Sequence, residues 1–127
     1  MILYSSDDFG RTWRFVRDMG RYGEMFPAVF RLRDGRMLLT FTVRALSPPL
    51  GVRGVLGTED KDGFHFDFQH DRVMLDTKTP AGLSSGGGFG PTVQLNDGTL
   101  VTACSYRGKD NMTHLEVIRW RLPRASK

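Results

Sequence analysis

Few residues in this chain have the types and spacing that chemistry needs. The histidines are His65, His70 and His114; neither their spacing nor any Cys or His cluster makes a metal set, so no metal and no cofactor is expected. Cys104 is the single cysteine, which excludes an internal disulfide. It sits in the run Val101-Thr102-Ala103-Cys104-Ser105-Tyr106, where a small core residue is expected rather than a reactive thiol. Gly86-Gly87-Gly88 lacks the Lys-Ser/Thr of a phosphate loop and precedes a strand, so it reads as a flexible connection. Arginine remains. Lys+Arg number 18 against 14 Asp+Glu, a net charge of +4. The basic residues are spread singly, with no run of the kind found at a nucleic-acid patch, so no nucleic-acid partner is expected. Two readings stay open: a solvated basic surface, or a preference for anionic ligands carried by a few arginines in a cleft.

The elements that must position these residues are strands. The chain has 127 residues with 15 Gly and 6 Pro, a balance that favours many short strands in one domain. Two segments repeat. Phe26–Arg44 and Gly90–Arg107 each run through a Pro, a short apolar strand, an Asp-Gly turn and a longer apolar strand that ends at Arg. The turns Asp34-Gly35 and Asp97-Gly98 lie 63 positions apart. They read as tight hairpins in which both Asp and Gly take positive φ. Arg44 and Arg107 therefore hold the same place in the two repeats, and Arg53 opens the strand that follows the first. Third strands are expected at Val52–Gly57 and His114–Leu122, and a fourth in the first copy at about Phe66–Leu75. A four-stranded meander repeated along the chain is the blade pattern of a propeller; regularly spaced short strands also fit a small β-sandwich. No segment has helical periodicity with caps. Met1-Ile2-Leu3-Tyr4 is too short an apolar stretch for a signal peptide, and no run approaches the ~20 apolar residues of a membrane span.

One motif favours the propeller. Ser6-Asp7-Asp8-Phe9-Gly10-Arg11-Thr12-Trp13 fits S-x-D-x-G-x-T-W at every defined position. Ser6 and Asp8 can accept hydrogen bonds from nearby backbone N–H groups, and Gly10 supplies a backbone angle other residues avoid. Trp13 is expected to start the next strand and pack beneath the turn. A degenerate copy, Thr58-Glu59-Asp60-Lys61-Asp62-Gly63-Phe64-His65-Phe66, keeps Thr58, Asp60, Gly63 and the aromatic Phe66. It falls where a turn between third and fourth strands belongs.

With these residues in place, the chain resembles the sialidase (neuraminidase) superfamily, the Asp-box or BNR-repeat proteins whose six-bladed propellers cleave or bind terminal sugars. The box SSDDFGRTW, the hairpins FPAVFRLRDGRMLLTF and GPTVQLNDGTLVT, and the strand HLEVIRWRLP carry the resemblance across residues 5–123. It implies a partial propeller of about two and a half four-stranded blades: 1–25 as the end of a preceding blade with its Asp-box, 26–76 as a full blade, 77–89 as a Gly-rich connection, and 90–123 as most of a last, C-terminal blade. It also implies that the box is structural and lies on the far side from the active site. Clustered arginines hold the sugar carboxylate in this family, which makes Arg44, Arg53 and Arg107 substrate-binding candidates. Family catalysis uses a tyrosine nucleophile, a glutamate that activates it and an aspartate as acid/base, an exception among glycosidases. Phe89 stands where that tyrosine is expected and has no oxygen. Tyr106 and the loop glutamate Glu24 are the catalytic candidates that remain; Glu116 lies in a strand between Leu115 and Val117.

The resemblance therefore implies the C-terminal part of an exo-sialidase-like glycoside hydrolase, inactive alone, because its active site draws on nearly all blades. The alternatives are a propeller that binds sialic acid or another terminal sugar without cleaving it, and a protomer that assembles a propeller from several copies through its open blade edges. The parent family is often exported, and no export signal is read in this chain.

Overall fold

The computed structural model describes residues 1–44, 50–70, 72–75 and 92–123. The expected connection 77–89, with Gly86-Gly87-Gly88 and Phe89, lies outside the described residues. The chain is all-β, with no helix among the described residues. The strands are β1 (Ile2–Ser5), β2 (Arg14–Asp18), β3 (Glu24–Arg31), β4 (Met37–Val43), β5 (Gly51–Asp60), β6 (Gly63–Phe66), β7 (Arg72–Met74), β8 (Thr92–Gln94), β9 (Leu100–Arg107) and β10 (Thr113–Trp120). They form three sheets: the β1–β2 hairpin, a middle sheet ordered β3-β4-β5-β6 with β7 also on β5, and a sheet ordered β10-β9-β8. Every pair is antiparallel. The middle sheet curls into a half-barrel.

Strand alternation sorts the side chains of the middle sheet onto two faces. Leu39, Phe41 and Val43 share one face with Val55 and Arg53, their partners across the register. Met19 joins that cluster, and Met1 and Leu3 of the hairpin pack against it. Leu38 and Leu56 lie on the other face with Phe30, where they meet Leu100 and Trp120 of the third sheet and Leu122 just beyond it. With both faces covered, every residue of β4 is buried. Hence MLLTFTV carries no charged residue, and Thr40 and Thr42 are its most polar side chains, as suits a strand buried on both sides. Each fully buried Leu or Phe there contributes about 1.5–3 kcal/mol.

The third sheet is one-sided. Leu100, Thr102 and Cys104 on β9 are buried toward the middle sheet, and β10 alternates between exposed and half-buried residues. Its buried hydroxyls are paired. Thr92 and Thr102 share a hydrogen bond of 2.7 Å, and the Trp120 indole N–H donates to Thr102 Oγ1 at 3.0 Å.

The two Asp-Gly turns have one hydrogen-bond pattern. Leu32 N–H donates to Arg36 O (2.8 Å) and Gly35 N–H to Leu32 O (3.0 Å); Leu95 to Thr99 and Gly98 to Leu95 repeat this at 2.8 and 3.0 Å. This is a type I turn followed by one left-handed residue, the three-residue hairpin loop. The expectation of positive φ at both Asp and Gly is thus corrected: Gly35 (φ 89°) and Gly98 (φ 82°) take it, while Asp34 and Asp97 do not. The aspartates act through their side chains instead, accepting the N–H of Arg36 at 3.1 Å and of Thr99 at 2.9 Å. The turns also dock on each other across the sheets. Arg33 N–H donates to Gln94 Oε1 (2.9 Å), and its guanidinium donates to Asn96 O (3.0 Å) and Oδ1 (2.7 Å).

The expected fourth strand is two strands. β6 pairs with β5 at Gly57–Asp60 and β7 pairs with it at Arg53–Val55. Between them Asp67 Oδ1 accepts the N–H groups of Gln69 (2.9 Å) and His70 (3.2 Å), a side-chain turn that lifts the chain off the ladder. The lift lets Phe68 turn inward onto Phe41, ring centroids 5.7 Å apart.

Candidate functional site

The Asp-box forms one hydrogen-bonded loop between β1 and β2. The Ser6 hydroxyl donates to Asp8 Oδ1 (2.8 Å) and accepts Gly10 N–H (2.7 Å). Asp8 Oδ1 also accepts the N–H groups of Arg11 (3.0 Å) and Thr12 (2.9 Å), while Oδ2 accepts the Thr12 hydroxyl at 2.6 Å. These bonds favour the carboxylate, with the Thr12 hydroxyl contributing most, and hold Asp8 down at about 2. Trp13 differs from expectation. The strand starts after it, at Arg14, and the residue is 64% exposed. It lies over Gly10, to whose carbonyl its indole N–H donates at 3.0 Å.

The degenerate copy folds differently. β5 and β6 run into a tight hairpin with Asp60 opposite Gly63, so Thr58 and Phe66 are ladder residues, opposite His65 and Gly57. The extra residue lets the strands continue to a two-residue turn. Asp60 Oδ1 accepts Asp62 N–H at 2.8 Å and pairs with His65 Nε2 at 3.0 Å. Both turns nonetheless stand on one rim. Asp7 of the Asp-box, with Ser5 and Arg14 on either side of it, lines a cavity of about 260 Å³ together with Glu59, Asp60 and Gly63.

The candidate ligand residues lie at the other end of the strands. Glu24 is the first residue of β3 and is buried, not a solvated loop residue. Its Oε2 accepts Arg21 N–H at 2.7 Å. Gly20 (φ 80°) makes room for it, since a Cβ there would stand 2.5 Å from Oε2. Arg53 is internal to β5 and 6% exposed, where a strand-opening residue was expected. Glu24 is opposite Val43 and Arg53 opposite Phe41, so both charged side chains project from the face turned to the hairpin. Their α-carbons are about 11–12 Å apart by strand geometry, within reach of two long side chains.

Arg44 follows β4. Its N–H donates to Gly23 O at 2.9 Å, and its guanidinium lies 5.7 Å from the centre of the Phe26 ring, a cation–π contact. Phe26 reaches this position through a bulge between Met25 and Ala28, where it takes φ 58°. Such a bulge re-aims a side chain at the end of a strand.

Tyr106 and Arg107 end β9. Tyr106 shares the face turned to the middle sheet and stacks on His114, centroids 5.3 Å apart and planes 22° apart. His114 Nε2 lies 3.0 and 2.9 Å from the two oxygens of Asp110. That contact, followed by the Met112 N–H, holds the Asp110 carboxyl below its usual value. Arg107 Nε donates to Asn111 Oδ1 at 3.0 Å and Nη1 to Thr113 Oγ1 at 3.4 Å. Arg44 and Arg107 hold equivalent positions in the repeats with different described partners, an aromatic ring for one and a polar turn for the other.

The sequence reading missed the Asp110–His114–Tyr106 group and the turn beneath it. Gly108 N–H donates to Met112 O (2.9 Å) and Asn111 N–H to Gly108 O (3.0 Å), the pattern of the Asp-Gly turns with Asn111 (φ 62°) in the glycine's place. The signal was Asp110-Asn111 in the register of Asp34-Gly35, since Asn also tolerates the left-handed region.

No group of three or more His, Cys, Asp and Glu among the described residues could hold a metal, and no helix there is long and apolar enough to cross a membrane. Cys104 is buried on β9. The chain matches no family model, no curated protein and no solved structure.

Proposed function

We propose that this chain is a segment of a sialidase-like β-propeller of the glycoside hydrolase class, and that its part is to hold the carboxylate of a terminal sugar such as sialic acid. The observation that carries this reading is the separation of its two ends. The hydrogen-bonded Asp-box turn occupies one rim, while Glu24, Arg44, Tyr106 and Arg107 lie at the opposite ends of their strands and Arg53 is the third residue from that end of β5. The stack of three sheets, each with an inner face packed on its neighbour, agrees with successive blades. Arginine suits a carboxylate because its planar fork makes two parallel hydrogen bonds.

Binding is favoured over turnover in this chain by itself. Tyr106 stands on the third sheet against His114, whereas Glu24 stands on the middle sheet with its carboxylate on Arg21 N–H. The test is a calorimetric titration with N-acetylneuraminic acid and, in parallel, its methyl ester. The reading expects heat of binding with the acid and none with the ester, and no release of fluorophore from a fluorogenic sialoside. Equal binding of acid and ester, or binding of neither, refutes it.

A further inference from the structure

The three sheets are stacked with a direction. On β4, Leu39, Phe41 and Val43 face the hairpin that precedes them in the chain, and Leu38 faces the third sheet that follows. The repeat offset carries Leu39, Phe41 and Val43 onto Thr102, Cys104 and Tyr106, and Leu38 onto Val101. On β9, Thr102 and Cys104 are buried toward the preceding sheet. The opposite face of the third sheet is therefore equivalent to the face of the middle sheet that the third sheet covers. On that outer face Leu115 is 80% exposed, Val117 60% and Val93 50%. At the other end of the stack the hairpin turns Leu3 inward, while Ile2 (55%), Tyr4 (48%) and Phe15 (56%) stand outward. Tyr4 and Phe15 are cross-strand partners with rings edge to face at 6.1 Å.

Each end of the stack thus presents an apolar face of the kind that marks an interaction surface, and the two faces differ in the way that adjacent faces inside the stack differ. We propose that a second copy of this chain continues the stack head to tail: the outer face of β8–β10 in one copy covers the Ile2/Tyr4/Phe15 face of the β1–β2 hairpin in the next. The occupant follows from continuity with the sheet-on-sheet contacts already present within the chain. A contact of this type is heterologous, so it builds a ring if the rotation closes and a filament if it does not. It depends on the sheet packing and not on sugar binding.

Sedimentation tests it with two blocked variants, L115K/V117K on the tail face and Y4K/F15K on the head face. Wild-type chain at rising concentration is expected to exceed twice its 14.3 kDa monomer mass. Each variant alone is expected to stay monomeric. Their mixture is expected to give a species at twice the monomer mass and nothing larger, because one free head meets one free tail; such pairing also shows that both variants are folded. A wild type that stays monomeric to its solubility limit overturns the proposal. So does a blocked variant that still pairs with itself, which would mark association through strand edges or through a like-with-like contact. Variants that keep a wild-type circular dichroism spectrum yet do not pair when mixed also overturn it.

Discussion

Asp8 holds Thr12 twice: one carboxylate oxygen accepts the Thr12 N–H at 2.9 Å and the other its hydroxyl at 2.6 Å. Both oxygens of the Asp8 side chain thereby help to close its own loop. Folding lowers the Asp8 carboxyl from 3.8 to about 2. A depressed folded-state value gives stability that is present above pH 3.8 and lost as the pH falls through 2. Denaturant titrations of wild type and Asp8→Asn at stepped pH are expected to differ at pH 5 and to converge toward pH 2. A difference that stays constant across that window would contradict the assignment.

Phe9, the next residue of the same loop, has φ 59° and is fully exposed. Left-handed backbone costs an L-residue roughly 1–2 kcal/mol, against about 0.5–1 kcal/mol of extra chain entropy for glycine. Phe9→Gly is therefore expected to stabilise the chain by about 0.5–1 kcal/mol, read as a higher denaturation midpoint at unchanged slope. Destabilisation would mean that the ring makes a contact the fold needs.

Phe41 lies 1% exposed at the centre of the middle sheet, against Phe68 and opposite Arg53. Phe41→Ala is expected to cost about 3–5 kcal/mol, measured by equilibrium unfolding. A loss below ~1 kcal/mol would show that the hairpin and the middle sheet do not share one core.

How much of this was legible beforehand depended on how local the determinant was. The Asp-box could be read because its bonds run between residues at most four positions apart, so composition and spacing specify it. The Asp-Gly turns could be placed for the same reason, although which residue took the left-handed angle was misjudged. Asn111 escaped notice because the signal sought was glycine. The burial of Glu24 could not be read, since its carboxylate lies against Gly20, a position around which Met1 and Phe68 also close, and these residues are far apart in the chain. The broken fourth strand was hidden too: Phe66 and Phe68 at one end of the segment and Val73-Met74-Leu75 at the other have strand-like composition, and the interruption depends on the Asp67 side chain capturing its own backbone.

Glu24 and Arg53 project from one face, diagonal to each other across β4. Contacting residues show interaction energies of about 0.5–3 kcal/mol, while remote ones add within about 0.3–0.5. A double-mutant cycle with Glu24→Gln and Arg53→Met is expected to give a coupling above ~1 kcal/mol. Simple additivity would place the two charges in separate environments and remove Glu24 from the arginine end of the sheets.

The central claim is that the arginine end, and not the Asp-box rim, meets the ligand. Backbone amide shifts recorded during titration with N-acetylneuraminic acid test it most directly. The account predicts saturable shifts at Arg44, Gly51, Arg53, Tyr106 and Arg107, with Gly10, Arg11 and Thr12 unmoved. Shifts confined to the Asp-box, or to the cavity between it and the Asp60–Gly63 turn, would contradict it.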